Sequence, residues 1–302
     1  MIVSASRRTD IAAFHSRWFR QRLEDGFCHV MQPYTGRVAR ISLAPEDVSA
    51  FVFWTRDPIP LLPEMEALRG QGVGVLVQVT ITGYGPPIES HGPPLSTALR
   101  NFERLAARLG PDAAFWRYDP IVLSEDWPPS AHRSRFETLA GALEGMTRRC
   151  TFSFVDFYGK TTRNLGKVEA ALGKRFHRPE FSERRALAQD LAEIAARHSI
   201  QLLSCCEDAL VEGGVGKSRC IDPEAIGRVL GRDLETSFKP TRQDCGCAHS
   251  VDIGAYDTCA FGCAYCYATS SREAALRRIR AADASDTILF RPPSLAGVDL
   301  TP

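Results

Sequence analysis

The sequence predicts an α/β fold, a parallel β/α barrel or partial barrel followed by a cysteine-rich arm. Strand-like and helix-like segments alternate through the first two-thirds of the 302 residues, the pattern that builds a parallel sheet with right-handed crossovers. Polar side chains gather where each strand ends and its helix has not begun, the rim at which such barrels hold their sites. Eight of the ten cysteines lie between Cys205 and Cys266, past the last core strand. These observations divide the chain into a barrel core, residues 1–207, and residues 208–302, a cysteine-rich cluster-binding arm with a C-terminal helix packed on the barrel.

In order, Met1–Ala5 reads as the first strand and ends in Ser6-Arg7-Arg8-Thr9-Asp10; Trp18, Phe19 and Leu23 then mark a helix face. Phe27–Met31 is a second strand candidate, which Thr35-Gly36 turns into an excursion at Val38–Leu43. Phe51–Trp54 is the third strand, ending in Thr55-Arg56-Asp57-Pro58, and its helix stops near Gly70. Through residues 72–81 Val73, Val75, Val77, Val79 and Ile81 alternate with Gly74, Leu76, Gln78 and Thr80. Period two sends the valines to the outer helices and Gln78 and Thr80 inward. After a Pro/Gly-rich loop, Gly83–Pro94, residues Leu99, Phe102, Leu105 and Leu109 recur at helical spacing. Ala113–Tyr118 runs into Asp119-Pro120, and Phe136, Leu139, Leu143 and Met146 give the next helix. Cys150–Val155 ends in Asp156; Pro179 can begin the helix marked by Leu187, Leu191 and Ile194. Ile200–Ser204 ends in Cys205-Cys206-Glu207. The alternation then breaks, leaving a short helix near Pro223–Leu230 and a last one opened by a Ser270–Glu273 capping box.

The formal net charge of +1 singles out neither nucleic acid nor an anionic membrane as a partner. The N-terminus lacks the apolar stretch of a secretory signal, and no apolar run reaches the length of a membrane span. A cytoplasmic protein is expected, in which thiols stay reduced and clustered cysteines point to metal before disulfides. Cys28 and Cys150, apart from the cluster, read as small buried apolar residues.

Cys259, Cys263 and Cys266 stand at C-x3-C-x2-C spacing, with Tyr265 before the third. A compact loop of this kind can point three thiolates at one iron–sulfur cluster, where a closed cubane takes four. Three leave an iron open, the mark of a working rather than a structural centre; a zinc knuckle is the alternative. The helix opening after Cys266 sets free N–H groups beside the anionic cluster. This loop resembles the signature of radical SAM enzymes. That resemblance implies a TIM-like, radical-SAM-like barrel with a [4Fe-4S] cluster on Cys259, Cys263 and Cys266. S-adenosylmethionine would be cleaved at the open iron to start radical chemistry on an unknown small molecule or peptide, with electrons from a donor such as flavodoxin or ferredoxin.

Cys245-Gly-Cys247, Ser250, Asp252-Ile-Gly-Ala-Tyr256, the cysteine loop through Ala268, the N-terminal Ser4-Ala-Ser-Arg-Arg-Thr-Asp10 and the central Phe53-Trp-Thr-Arg-Asp-Pro58 together resemble a bacterial family described as domain of unknown function 1848, with a radical-SAM-like C-terminal cysteine cluster. The likeness spans nearly the whole chain and implies no particular reaction. It departs from ordinary radical SAM enzymes in one respect: their cysteine loop follows the first barrel strand, whereas here 36 residues follow Cys266.

Of the remaining cysteines, Cys206, Cys220, Cys245 and Cys247 make a four-ligand set for a second [4Fe-4S] cluster or zinc, or remain free thiols; Cys205 falls on the other side of the strand by alternation. Arg7, Asp10, Arg56, Arg117, Asp119 and Glu207 are the catalytic candidates at the rim. Gln78, Thr80, Asp156 and Tyr265 are the cofactor-binding ones. Arginines there suit an anionic substrate or the S-adenosylmethionine carboxylate, while the acids could hydrogen-bond ribose or adenine or pass protons. Helix capping competes with catalysis for Asp57 and Asp119, each followed by Pro. The alternative function is a zinc- or cluster-stabilised barrel with non-radical hydrolytic or binding chemistry.

Overall fold

A strand with branched apolar residues on one face and small or polar ones on the other suits a sheet covered on both sides. The computed structural model, which describes residues 1–240 and 242–300, contains such a sheet. In chain order its elements are β1 (Ile2–Ala5), α1 (Ile11–Phe14), α2 (Ser16–Asp25), β2 (Phe27–Met31), β3 (Val38–Ser42), β4 (Ala50–Thr55), α3 (Leu62–Gly70), β5 (Gly74–Thr80), α4 (Leu95–Leu109), β6 (Ala114–Ile121), α5 (Pro129–Leu143), β7 (Arg149–Phe154), α6 (Gly159–Leu172), α7 (Phe181–Arg197), β8 (Gln201–Ser204), β9 (Gly216–Lys217), α8 (Pro223–Leu230), β10 (Val251–Asp252) and α9 (Arg272–Ala281). Eight strands pair in parallel in the order β10-β1-β4-β5-β6-β7-β8-β9. β9 and β10 stand at the two ends of that order, so the fold is a mixed α/β one with a large parallel sheet flanked by helices, and no ladder closes it among the described residues.

One face carries the main core. Val75, Val77 and Val79 of β5 pack there with Met65 and Leu68 of α3 and Phe102 and Leu105 of α4. On β6, Trp116 stacks on Phe136 of α5 with ring centroids 4.7 Å apart. The other face carries Ala50, Val52, Leu76 and Phe115, and is covered by Ile221, Ala225, Ile226 and Ala248. At Gly74 an added Cβ would stand 3.1 Å from the Ala50 Cβ and 3.2 Å from Ile226 Cγ2, so α8 lies hard against β5. Residues after Glu207 therefore line the polar-and-small side of the strands.

Three local expectations change. Phe27–Met31 is not a strand of the large sheet; it pairs antiparallel with β3 in a separate two-stranded sheet, because strands joined by a short turn pair with each other first. The place beside β1 is taken by β10, in register Val3↔Val251 and Ser4↔Asp252. The segment between β7 and β8 holds two helices rather than one. The unexpected α6 buries only Thr161, Leu165 and Val168, too narrow a stripe to stand out by period. The last helix is capped by Ser271, whose side chain accepts from Ala274 N. Ser270 cannot serve, since its hydroxyl donates to Asp257 Oδ1 at 2.6 Å and its backbone N–H to the same oxygen.

Candidate functional site

The three-cysteine loop is seated from several sides. β4 ends in Thr55, and the next residue, Arg56, turns its guanidinium onto Glu89 through two bonds of 2.6 and 2.7 Å. The same Arg56 Nη1 donates to the Tyr265 hydroxyl at 2.8 Å and lies 3.9 Å from Cys263 Sγ. Glu89 also accepts from Thr82 Oγ1 at 2.6 Å and from the Tyr265 hydroxyl. Burial would raise the Glu89 carboxyl, but Arg56 and these donors outweigh it and hold it below the usual carboxylate range. The backbone joins in: Ala264 N donates to Ile88 O at 2.9 Å, and Glu89 bridges Cys263. Below the loop, His15 Nε2 meets Thr258 O at 2.8 Å and Phe14 packs edge-on to Phe261 at 4.6 Å. Arg272, at the start of α9, donates to Ala260 O at 3.1 Å.

Asp252 fastens this region to β1. It accepts from Ser4 Oγ, Ser6 Oγ and Arg7 N, each at 2.8 Å, from Arg8 Nε at 2.9 Å and from Gly254 N at 3.0 Å. A Cβ on Gly254 would come within 2.0 Å of Ser6 Oγ, so only glycine admits the approach. Arg7 lies over the Trp54 ring at 5.4 Å, and its carbonyl accepts from Tyr267.

A second group of thiols lies on the other face of the sheet. Cys205 Sγ is 3.9 Å from Cys206 Sγ and 3.6 Å from Cys220 Sγ. Cys220 is also hydrogen-bonded to Cys247, whose sulfur accepts from Ile221 N at 3.4 Å, and Cys245 stands near enough to oppose the ionisation of Cys247. Arg117 Nη1 points at Cys220 Sγ at 3.3 Å, and Arg242 Nη2 stands 3.9 Å from Cys205 Sγ. Bonds from Cys205 and Cys247, then the Arg117 charge, pull the Cys220 thiol well below its ordinary value. A bond from Cys205, with Arg242 beside it, draws Cys206 down to about 6 against the cost of burial.

The predicted residues thus fall into three sets. Arg56 and Tyr265 meet at Cys263. Gln78, Arg117 and Asp119 meet around Cys220: Gln78 Nε2 donates to Cys220 O at 3.1 Å, and Asp119 binds Arg117 and Ser153. Asp156 reaches the same thiols through Arg242, 2.8 Å away, and Thr80 stands opposite Arg117 in the ladder. Glu207 is held apart, accepting from Phe154 N at 2.8 Å and Arg184 at 2.7 Å, which ties β7 to α7. Asp10 caps α1 through Ala13 N at 2.9 Å and accepts from Arg56 N at 2.7 Å. Asp57 Oδ1 accepts from Ile59 N at 3.2 Å and from Asn101 Nδ2 at 3.0 Å, a local role, whereas Asp119 holds Arg117 and Ser153. Glu89, Asp252, Cys205 and Arg242 are the participants that sequence reasoning left out. Glu89 sits in an aperiodic Pro/Gly loop, and nothing local marks it.

Burial lifts Asp10 from its ordinary 3.8 to about 7. The folded state therefore holds a proton that the unfolded chain has released, and stability falls as pH rises from 3.8 to about 7, by on the order of 4 kcal/mol. Asp10→Asn keeps a capping oxygen and does not titrate. In urea titrations of the metal-free protein, the wild type should lose stability relative to that variant across this window; a difference constant with pH would refute the assignment.

None of the ten cysteines is in a disulfide. Among the described residues no group of three or more His, Cys, Asp or Glu stands ready to hold a metal ion. A cubane makes a different demand, since each thiolate binds a separate iron and its ligands stand wider apart. In the first loop the three thiols act on one another. Cys259 is raised by burial and then by the nearby Asp10, Cys263 and Cys266; Cys263 is pushed to about 12 by burial, with Arg56 opposing. Thiols that oppose one another's ionisation in a buried loop are relieved by a cationic centre. Arg56 Nε, buried without a protein partner, is an unused donor beside them.

A family model described as "Domain of unknown function (DUF1848)" matches residues 2–268, and the chain belongs to that family. The search of curated proteins returned no match. Among solved structures, one from work described as "Inhibition of the pneumococcal virulence factor StrH and molecular insights into N-glycan recognition and hydrolysis" aligns over 80% of this chain and 67% of that chain, at 9% identity and a TM-score of 0.29. A likeness that slight bears on neither fold nor function. No helix among the described residues is long and apolar enough to cross a membrane.

Proposed function

We propose that this member of the DUF1848 family is an iron–sulfur protein of the radical SAM type, with Cys259, Cys263 and Cys266 as the ligands of a [4Fe-4S] cluster. The observation that carries the reading is the trio of thiols in one loop, unlinked by disulfides and electrostatically coupled, beside the buried Arg56–Glu89 pair. When bound, such a cluster with S-adenosylmethionine on its open iron supplies reductive cleavage of the sulfonium and so begins radical chemistry. The chain's own residues do the positioning. Arg56 sets positive charge beside Cys263, and Glu89 fixes both that guanidinium and the Tyr265 hydroxyl. Tyr84 and Ile88 pack with Ala264 and Tyr265 to keep water from the loop's flank. Arg7 and Arg8 are engaged by Ser250 and Asp252, and Arg117 by Asp119. The barrel core of residues 1–207, the cluster-bearing arm of residues 208–302, a flavodoxin- or ferredoxin-like electron donor and a cytoplasmic setting complete the proposal.

Anaerobically purified protein should be brown and contain iron and sulfide. After reduction with dithionite it should convert S-adenosylmethionine to 5′-deoxyadenosine and methionine, and Cys266→Ala should abolish the conversion. Iron-loaded protein that yields no 5′-deoxyadenosine would overturn the radical reading. The thiols around Cys220 favour a second reading, a metal-stabilised scaffold with hydrolytic or binding chemistry; colourless protein with stoichiometric zinc is the result that would select it.

A further inference from the structure

We propose that Cys205 and Cys220 form a redox-active dithiol, oxidised to a disulfide by a low-molecular-weight disulfide that enters at Cys206. Neither residue belongs to the Cys259–Cys266 loop, and nothing here depends on a cluster there. Successive side chains of an extended chain point to opposite faces, so Cys205 and Cys206, just past β8, should point apart. They do not. Cys206 has a φ of +59°, in the left-handed region that residues other than glycine seldom enter, and its sulfur lies 3.9 Å from that of Cys205. Backbone held in that region is a mark of functional segments. Cys220, from the stretch before α8, places its sulfur 3.6 Å from the same Cys205.

Exposure falls along this path. Cys206 is half-buried, whereas Cys205 and Cys220 are each 8% exposed. A reagent from solvent meets Cys206 first, and Cys205 is the sulfur in contact with both others. Cys247 stands at the inner end, bonded to Cys220 and accepting from Ile221 N. A disulfide holds its sulfurs about 2.05 Å apart, so the Cys205–Cys220 pair closes by a shift of roughly 1.5 Å. Arg117 and Arg242 face these sulfurs, but each is paired with a carboxylate, Asp119 or Asp156. They need no thiolate to balance them, and an uncharged disulfide leaves them balanced.

The Cys206 sulfur attacks the external disulfide RSSR, forming a mixed disulfide and releasing RSH with the Cys206 proton. Cys205 then attacks the Cys206 sulfur, and its proton leaves on the second RSH. Cys220 attacks Cys205 and passes its proton to Cys206, which returns to the thiol. RSSR is thereby reduced to two RSH, and Cys205 and Cys220 are oxidised to one disulfide. In a reducing compartment such a bond is transient, as in catalytic or redox-sensing pairs. It would tie the end of β8 to the segment entering α8, the helix that lies against β5.

The test equilibrates the full chain with mixtures of reduced and oxidised glutathione, then quenches in acid, alkylates and digests with trypsin. Residues 198–217 carry Cys205 and Cys206, and residues 220–228 carry Cys220, so the disulfide appears as one linked pair of peptides. The pair should form in the wild type and be lost in Cys205→Ser. In Cys206→Ser it should form about tenfold more slowly but to the same final extent. A wild type that carries only glutathione adducts, or that stays reduced at the oxidising end, overturns the dithiol. A Cys205→Ser variant that links as readily overturns it too, and an unchanged rate in Cys206→Ser overturns the entry role. Bound metal that shields these thiols until denaturant is added also overturns the dithiol. The wild-type linkage is decisive even if a variant does not fold, and it is read whether or not the Cys259–Cys266 loop holds iron.

Discussion

Replacing Asp252 with alanine is expected to destabilise the protein by about 3–5 kcal/mol, the cost of leaving a buried charge unpaired. Asp252 Oδ1 and Oδ2 gather five donors, and the Arg8 guanidinium bonded to them is 12% exposed. Without the carboxylate, that charge, two serine hydroxyls and two backbone N–H groups lose their acceptor together. The loss falls where β10 meets β1, so the stretch leading to the cysteine loop should loosen before the helix-side core does. Burial would raise the Asp252 carboxyl, but Arg8 and the N–H of Arg7 outweigh it and hold it below 3.8. Its contribution is therefore full above the unfolded value and is lost as pH falls through the depressed folded value. Urea titrations at neutral pH, with hydrogen exchange at residues 250–256, would check both points. A loss under about 1 kcal/mol would mean that water replaces the carboxylate at little cost.

Glu89→Gln should be comparably severe and more specific. The amide preserves shape but removes the charge that balances Arg56, whose side chain is 11% exposed. We expect a loss of about 3 kcal/mol in the metal-free protein and a several-fold fall in iron retained by the Cys259–Cys266 loop, since Glu89 orients both Arg56 and Tyr265. Arg56→Met paired with Glu89→Leu should recover part of the stability, because removing both charges abolishes the desolvation penalty, but none of the iron. Full iron retention in Glu89→Gln would show that the pair serves packing alone.

The amino-acid sequence by itself determined the alternation of strands and helices from Ile2 to Ser204, the placing of Gln78 on the face opposite the valines, the membership of the family and the three-cysteine loop. Each is written in local order: a period of two or of 3.6 records which side is buried, and ligand spacing within one loop is short-range geometry. Only the tertiary structure decided that Phe27–Met31 leaves the large sheet, that Val251–Asp252 joins it beside β1, that Cys205 stands between Cys206 and Cys220, and that Glu89 answers Arg56. A two-residue strand has no period to read, and a carboxylate in an irregular loop finds its guanidinium through space. Pairings between residues tens to hundreds of positions apart are chosen by how whole elements pack, and that is information no window of sequence contains.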